Sequence, residues 1–414
     1  MFSYFFRRLL LMIPTFIGIT FLVFTVTRFV PGGPVEQAVL RYQQAAAQGG
    51  EGGAGTSSGV DANGQISEEM MQKLKEIYGF DKPFYQAYCI WLWRVLHFDL
   101  GTSDTYSRPV WDLIKEKFPI SIIFGLAGFI LSYSICIPLG VWKAVKHGSV
   151  FDTSSSVLVF IAYSIPGWTA GILLLMLLGG GNPQEYWDLF PLGDFTSSTI
   201  EKNTFLYNFV DEGAYIKDIP PEILASYKEL KALKEKDNFA QINSSHPAFK
   251  YVPEGKRDKI NNPTHENLTF FGRILDKAWH MFLPVFCYVL GSFASMTVLM
   301  KNTLMENLGQ DYVRTAFAKG LSEKTVIFKH TLRNSLIPLA TGLGHMLSII
   351  LAGSFLIEKV FNIKGFGLLG YESLISRDYP VVLGSLVIST ILGLLGNIIS
   401  DLLYCVIDPR IRFS

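Results

Sequence analysis

The stretch DYVRTAFAKGLSEKTVIFKHTLRNSLIP, Asp311 to Pro338, is polar and basic, yet it lies between two long apolar runs. Val313, Phe317 and Leu321 recur at i, i+4 and i+8, which predicts a short helix from Asp311 to Lys319 with one apolar stripe and with Arg314 and Lys319 off it. Gly320 ends that helix, because glycine adopts the left-handed backbone without steric cost. Ser322 and Glu323 then start a second helix as N-cap and first-turn acid. Thr315, Ala316 and Ala318 keep the bend slim. The result is a projecting elbow that fits another protein's groove; an amphipathic loop resting on lipid headgroups accounts for the same pattern.

The apolar runs on either side set the class. Of 414 residues 49% are hydrophobic and 14% aromatic, the balance of a multi-span membrane protein. Crossing about 30 Å of hydrocarbon takes about 20 apolar residues. Six runs qualify: 9–29, 119–142, 155–179, 279–300, 336–357 and 380–406. The first follows Arg7 and Arg8 as a signal peptide does, but it is too long for one and RFVPGGP, not a cleavage site, follows it. It reads as a retained helix.

A net charge of +1 gives no global reason to expect nucleic acid, so the arrangement of charge is what informs. Arg7 and Arg8, Lys143 and Lys146, the 301–333 segment, and Arg410 and Arg412 fall on one side of six alternating spans. By the positive-inside rule that side is the cytoplasm, with both termini there. Lys359, Lys364 and Arg377 on the opposite side make the bias imperfect.

Five regions follow: an N-terminal span (1–30), an exterior segment (31–118), spans two and three (119–180), an exterior insertion (181–278), and spans four to six (279–414) with the elbow loop 301–337. The exterior segment holds GGEGGAGTSSGVDANG, 49–64. It lacks the Lys-Ser/Thr pair and preceding strand of a phosphate cradle and reads as a solvated loop. Met70, Leu74 and Ile77 predict a short amphipathic helix between Ser67 and Gly79. In the insertion, Leu224, Tyr227, Leu230 and Leu233 predict a surface helix.

Chemistry-bearing residues are sparse. Cys136, Cys287 and Cys405 sit in runs read as helix and Cys89 alone in an exterior loop, so no disulfide framework is expected. His246, His265 and His280 lack metal-ligand spacing and read as solvated or interfacial. Within the spans ionisable residues are nearly absent; Arg28 snorkels from the end of its helix and Asp401 sits near the end of the last. Pro138, Pro166 and Pro284 are expected to bend their spans. Ser132, Ser134, Tyr163, Ser164, Ser292 and Thr297 are the polar candidates for lining a pathway, or for hydrogen bonds between helices.

RTAFAKG, Arg314 to Gly320, resembles the EAA motif of permease subunits of ATP-binding-cassette importers, in the form used by dipeptide and oligopeptide permeases, with Arg and Thr where the general motif has Glu and Ala. HTLR, His330 to Arg333, stands where I-x-L-P is common, a departure usual in the peptide branch. RRLLLMIPTFIGITFLVFTVTRFVPGGP, YGFDKPFYQAY, HFDLGTS and SRDYPVVLGSLVISTILGLLGNIISDLLYCVIDPRIR resemble the B-type subunits over nearly the whole chain. PGGPVEQAV, the Gly-rich loop and LFPLGDF are most similar to the YejB-type branch, associated with oligopeptides and peptide antibiotics. Residues 196–265 match no part of that core and read as an insertion.

The resemblance implies an all-α, six-span permease of the type I importer fold in the bacterial inner membrane, with a large periplasmic insertion. It implies partners: a second homologous permease, ATPase subunits that bind ATP and Mg, a periplasmic peptide-binding protein and membrane lipid. The ATPase contact falls on Arg314, Thr315, Ala316, Ala318, Lys319, Gly320, Leu321 and Ser322. No G-x-x-x-x-G-K-[ST] occurs, so the chain itself reads as neither the ATPase nor an enzyme, and no cofactor is expected in it. Two rivals stand beside this reading. An ion-driven secondary transporter needs intramembrane charge that is scarcely present, and a membrane-anchored exterior enzyme needs a nucleophile and base that residues 181–278 do not evidently supply.

Overall fold

The computed structural model describes residues 2–30, 33, 35–40, 68–77, 80–179, 189–198, 200, 204–210, 264–340, 342 and 355–407. The Gly-rich stretch, the helix read around 224–233, His246 and most of the fifth apolar run lie outside the described residues. The described residues form helices and isolated bridges, with no strand among them.

The helices are α1 (Phe2–Phe29), α2 (Glu68–Ile77), α3 (Phe84–Leu96), α4 (Val110–Val145), α5 (Val150–Ser164), α6 (Gly167–Leu178), α7 (Phe270–Leu308), α8 (Asp311–Ala318), α9 (Phe355–Val360), α10 (Phe366–Ile375) and α11 (Tyr379–Ile407). Four stretches are long and apolar enough to cross a membrane: Phe6–Phe29, Val110–Val145, Phe270–Leu308 and Tyr379–Leu403. α4 and α7 exceed the apolar runs that announced them, because the helix propagates through flanking charged residues that hydropathy alone excludes. α4 is entered from Pro109, a residue suited to the start of a helix.

The third run, expected as one span over 155–179, is two helices. Pro166 has no N–H to donate and holds Ile165 extended, at φ −101° and ψ 115°, so α5 stops at Ser164 and α6 begins at Gly167. At Pro138 and Pro284 the helix carries through. Cys89 is exposed on α3, not in a loop.

The chain divides into two compact units, one of residues 1–167, 288–359 and 364–414, the other of 168–287 and 360–363. In the first, α1 packs on α11, α10 and α11 pack on α4, and α4 on α5. One core of this unit joins Leu113 and Ile114 of α4 to Phe366 and Leu369 of α10 and to Val381 and Val387 of α11. Asp378, fully buried, fixes the loop before α4: it accepts from Ser103 Oγ at 2.6 Å and from the Thr105 N–H at 3.1 Å. Arg8 and Asp401 form an ion pair between α1 and α11, which gives the lone acid of the last span its partner.

α4 crosses α7 where glycine permits it. A Cβ on Gly140 would lie 2.6 Å from Met300 Cβ and 2.9 Å from the Thr297 carbonyl oxygen, and one on Gly128 would lie 2.5 Å from the Tyr288 ring. Small residues at such a crossing replace the hydrophobic effect, which lipid cannot supply, with close backbone packing.

In the second unit the two ends of the insertion are tied together. Val210 and Leu268 form an antiparallel bridge, Thr269 N donates to Phe209 O at 2.8 Å, and Ile200, Leu206 and Leu268 are buried together. Beneath them Asp276 is fully buried and gathers Ser197 Oγ (2.6 Å), Ser197 N (3.0 Å) and His265 Nδ1 (2.6 Å). His280 Nε2 lies 3.1 Å from Ser197 Oγ, and its Nδ1 faces the carbonyl oxygens of Gly193 and Asp194 at 3.0 and 3.2 Å. Of the two readings of His265 and His280, solvated or interfacial, the first does not hold: both rings sit between segments of this unit. A buried carboxylate one helical turn before His280 recruits both rings, since a charge so placed must be hydrogen-bonded.

Candidate functional site

α8 and the turn after it build the elbow. Lys319 is the C-cap and Gly320 follows at φ +77°. Gly320 N donates to Phe317 O at 2.9 Å and Leu321 N to Ala316 O at 3.4 Å, the paired bonds of a Schellman ending. Nothing lies within 4 Å of where a Gly320 Cβ would be, so the residue is required for its backbone and not for want of room. Ser322 precedes the turn Glu323–Thr325, and its hydroxyl bonds Thr325 Oγ1 at 2.9 Å, so its capping is by backbone geometry alone. A π-helical turn, Val326–Thr331, and a short helix, Leu332–Ser335, complete the segment.

The buried face of α8 differs from the predicted stripe. Val313 and Ala316 are buried against Val326 and Leu308, while Phe317 and Leu321 stand exposed. The tight turn at Gly320 brings Val326 back over the i, i+3 pair, and the small Ala316 lets it close, which a phenyl ring at that position does not. Outward, Tyr312, Phe317, Leu321 and Phe328 form an exposed apolar set around the bend, with Arg314, Thr315, Ala318 and Lys319 between them.

The elbow is held to the bundle at its root. Thr303 Oγ1 of α7 donates to Ser335 O at 3.1 Å, and Ser335 Oγ donates back to Thr303 O at 3.3 Å, both buried. Just before Thr303, Lys301 reaches Asp152 of α5, which also lies 3.2 Å from Lys143 Nζ of α4. Lys143 is 1% exposed, and its ammonium further donates to Ser155 Oγ and Ser156 Oγ, each at 2.8 Å. Asp152 opens α5 under the Ser149 cap. This joint of three helices was not legible from sequence. Its only signal is a lysine and an aspartate at helix ends either side of KHGS, which reads equally as a charged loop.

The polar candidates for a pathway separate into two groups. Ser132 and Ser292 bond each other at 3.0 Å between α4 and α7, and Thr297 is fully buried under Gly140. Ser134, Tyr163 and Ser164 are exposed, with Ser164 Oγ donating to Phe160 O of its own helix at 2.8 Å. No group of three or more His, Cys, Asp or Glu among the described residues suits a metal ion.

Long apolar helices with few internal charges, close glycine crossings and a braced, outward-facing elbow define a membrane-embedded transport subunit. The chain belongs to the binding-protein-dependent transport system inner membrane component family, whose model matches residues 136–413. It is 35% identical to the inner membrane ABC transporter permease protein YejB of Escherichia coli O157:H7, over 100% of this chain and 99% of that protein. It is also 35% identical to the peptidoglycan transport system permease protein YejB of Agrobacterium fabrum, over 100% and 98%, and 31% identical to the dipeptide transport system permease protein DppB of Escherichia coli K12, over 100% and 99%. It is the permease subunit of an ATP-binding-cassette importer and has the all-α type I permease fold.

Proposed function

We propose that this permease imports oligopeptides, peptide antibiotics among them, from periplasm to cytoplasm, and that it does so as half of a route completed by a second homologous permease. Relatives named for dipeptide, oligopeptide and peptidoglycan transport support the cargo class. The apolar set exposed around a backbone-defined bend supports the coupling, and it is the observation that carries the reading. Partner ATPases, which bind the ATP and Mg, grip residues 314–322. Their closure turns α7 through the reciprocal Thr303–Ser335 bonds, a rigid-body switch. Both termini and the elbow face the cytoplasm; the insertion faces the periplasm, where a peptide-binding protein delivers cargo. Of the six candidate hydroxyls, the exposed ones, Ser134, Tyr163 and Ser164, meet a peptide backbone, Ser164 as an acceptor because its hydrogen is given to Phe160 O.

In proteoliposomes holding the whole complex and its binding protein, uptake of a labelled oligopeptide will require ATP on the elbow side and survive collapse of proton and sodium gradients. Gradient-driven uptake without ATP would overturn the reading. The name of the Agrobacterium relative favours a second cargo, peptides bearing cell-wall sugars, and competition between a plain peptide and a muropeptide separates the two.

A further inference from the structure

The C-terminal end of α1 borders a cavity of about 750 Å³, a usual size for a ligand cleft. The end of α2, the loop between it and α3, α3 itself, the loop after it and the first turn of α11 complete the wall. Its charged lining is balanced, with Arg28, Lys82 and Arg94 against Glu76, Asp99 and Asp104. Ile90, Trp91 and Leu383 supply an apolar side.

Two observations set this cavity at the boundary of membrane and water. Arg28 lies in the last turn of the apolar span Phe6–Phe29, and its guanidinium sits 4.2 Å from the centroid of the Phe80 ring. α3 turns an exposed stripe outward, Tyr85 at 64%, Trp93 at 65% and Leu96 at 61%. Its inner face is fixed to α1, where Tyr88 Oη meets Thr20 Oγ1 at 2.9 Å. That contact lies two turns inside Arg28, so α3 runs from the mouth of the cavity along the outer half of the span, with tyrosine and tryptophan on its free face. Arg94 and Asp99 are 3.6 Å apart with side chains 62% and 56% exposed. An exposed pair of that length holds little free energy, so both groups regroup around an incoming charge at small cost.

We propose that the cavity binds the headgroup of a zwitterionic phospholipid. Its phosphate rests on Arg28 and Arg94, its ammonium on Asp99 and Asp104, and its first acyl methylenes run along Ile90, Trp91 and Leu383. An anionic headgroup satisfies the basic residues and leaves the carboxylates facing like charge; a soluble zwitterion gains nothing from the apolar side. The inference rests on the chain's place in the membrane and not on its cargo.

Native mass spectrometry of the full chain tests it, with phosphatidylethanolamine, phosphatidylglycerol and diacylglycerol of the same acyl chains as probes. Phosphatidylethanolamine will be retained at one site about tenfold more strongly than either other lipid. The Arg28→Gln/Arg94→Gln double variant will lose that preference. Equal retention of the three lipids by the unaltered chain overturns the proposal, with no variant needed. An undiminished preference in a double variant of unchanged melting temperature overturns it too.

Discussion

Lys301 Nζ lies 2.7 Å from both carboxylate oxygens of Asp152, 149 residues earlier in the chain. Lys143 meets the same carboxylate, so two bases share one acid, which ties α4, α5 and α7 together where α7 leaves for the elbow.

Removing that acid leaves the buried Lys143 ammonium and the part-buried Lys301 ammonium without their counter-charge. Asp152→Ala will therefore cost about 3–5 kcal/mol, seen as a lower melting temperature of the purified protein. Lys301→Met will cost less, because Lys143 still neutralises Asp152. Equal melting of Asp152→Ala and the unaltered protein would show that the joint carries no stability.

Gly140 is the tighter test of the helix crossing, because one of the atoms in the way belongs to backbone. Gly140→Leu will destabilise by about 1–3 kcal/mol and lower the yield of folded protein. Gly18→Ala on α1 is the control: nothing lies within 4 Å of its Cβ position, and its melting temperature will not fall. A parallel loss in both variants would mean that glycine flexibility, and not the crossing, is at stake.

At the elbow, strain and docking are separable. Gly320→Ala meets no atoms but must hold a positive φ, a cost of about 1–2 kcal/mol, and such a chain will insert and still transport. Gly320→Trp will insert as well, but will fail to co-purify with the ATPase and fail in uptake. Full assembly of the Trp variant would refute the docking role.

The insertion's footing depends on Asp276. Asp276→Ala strips the partners from Ser197 and His265, bonds to a charged group worth about 1.5–3 kcal/mol each. Hydrogen–deuterium exchange will rise over 193–198 and 264–269 and stay unchanged around Ser132. No rise there would mean that the Val210–Leu268 bridge and its apolar neighbours suffice.

What could be read in advance follows the range of each interaction. Gly320 and the apolar runs 9–29, 119–142, 279–300 and 380–406 act within a turn or within one helix, and these were legible. α3 was missed because FYQAYCIWLWRVL is apolar on nearly every side, leaving no period to detect; only its exposed Trp93 and buried Tyr88 define two faces. Phe317 shares the apolar stripe of Val313 and Leu321 by its i, i+4, i+8 spacing, but Val326, arriving from beyond the turn, packs on Val313 and the smaller Ala316. The partners of Asp152 and Asp276 lie on other helices or across an insertion, and no local pattern announces them.

The π-turn Val326–Thr331 gives the segment behind the elbow something like an indexed gear. It holds one more residue per turn than an α-helix, so everything from Leu332 onward is rotated by roughly 100° from where an uninterrupted helix would carry it. Thr331 Oγ1, bonded to the carbonyl of Val326 five residues back at 3.0 Å and wholly buried, is the pawl. Without the extra residue Ser335 would point away from Thr303, so the reciprocal bonds at the root of the elbow depend on that offset.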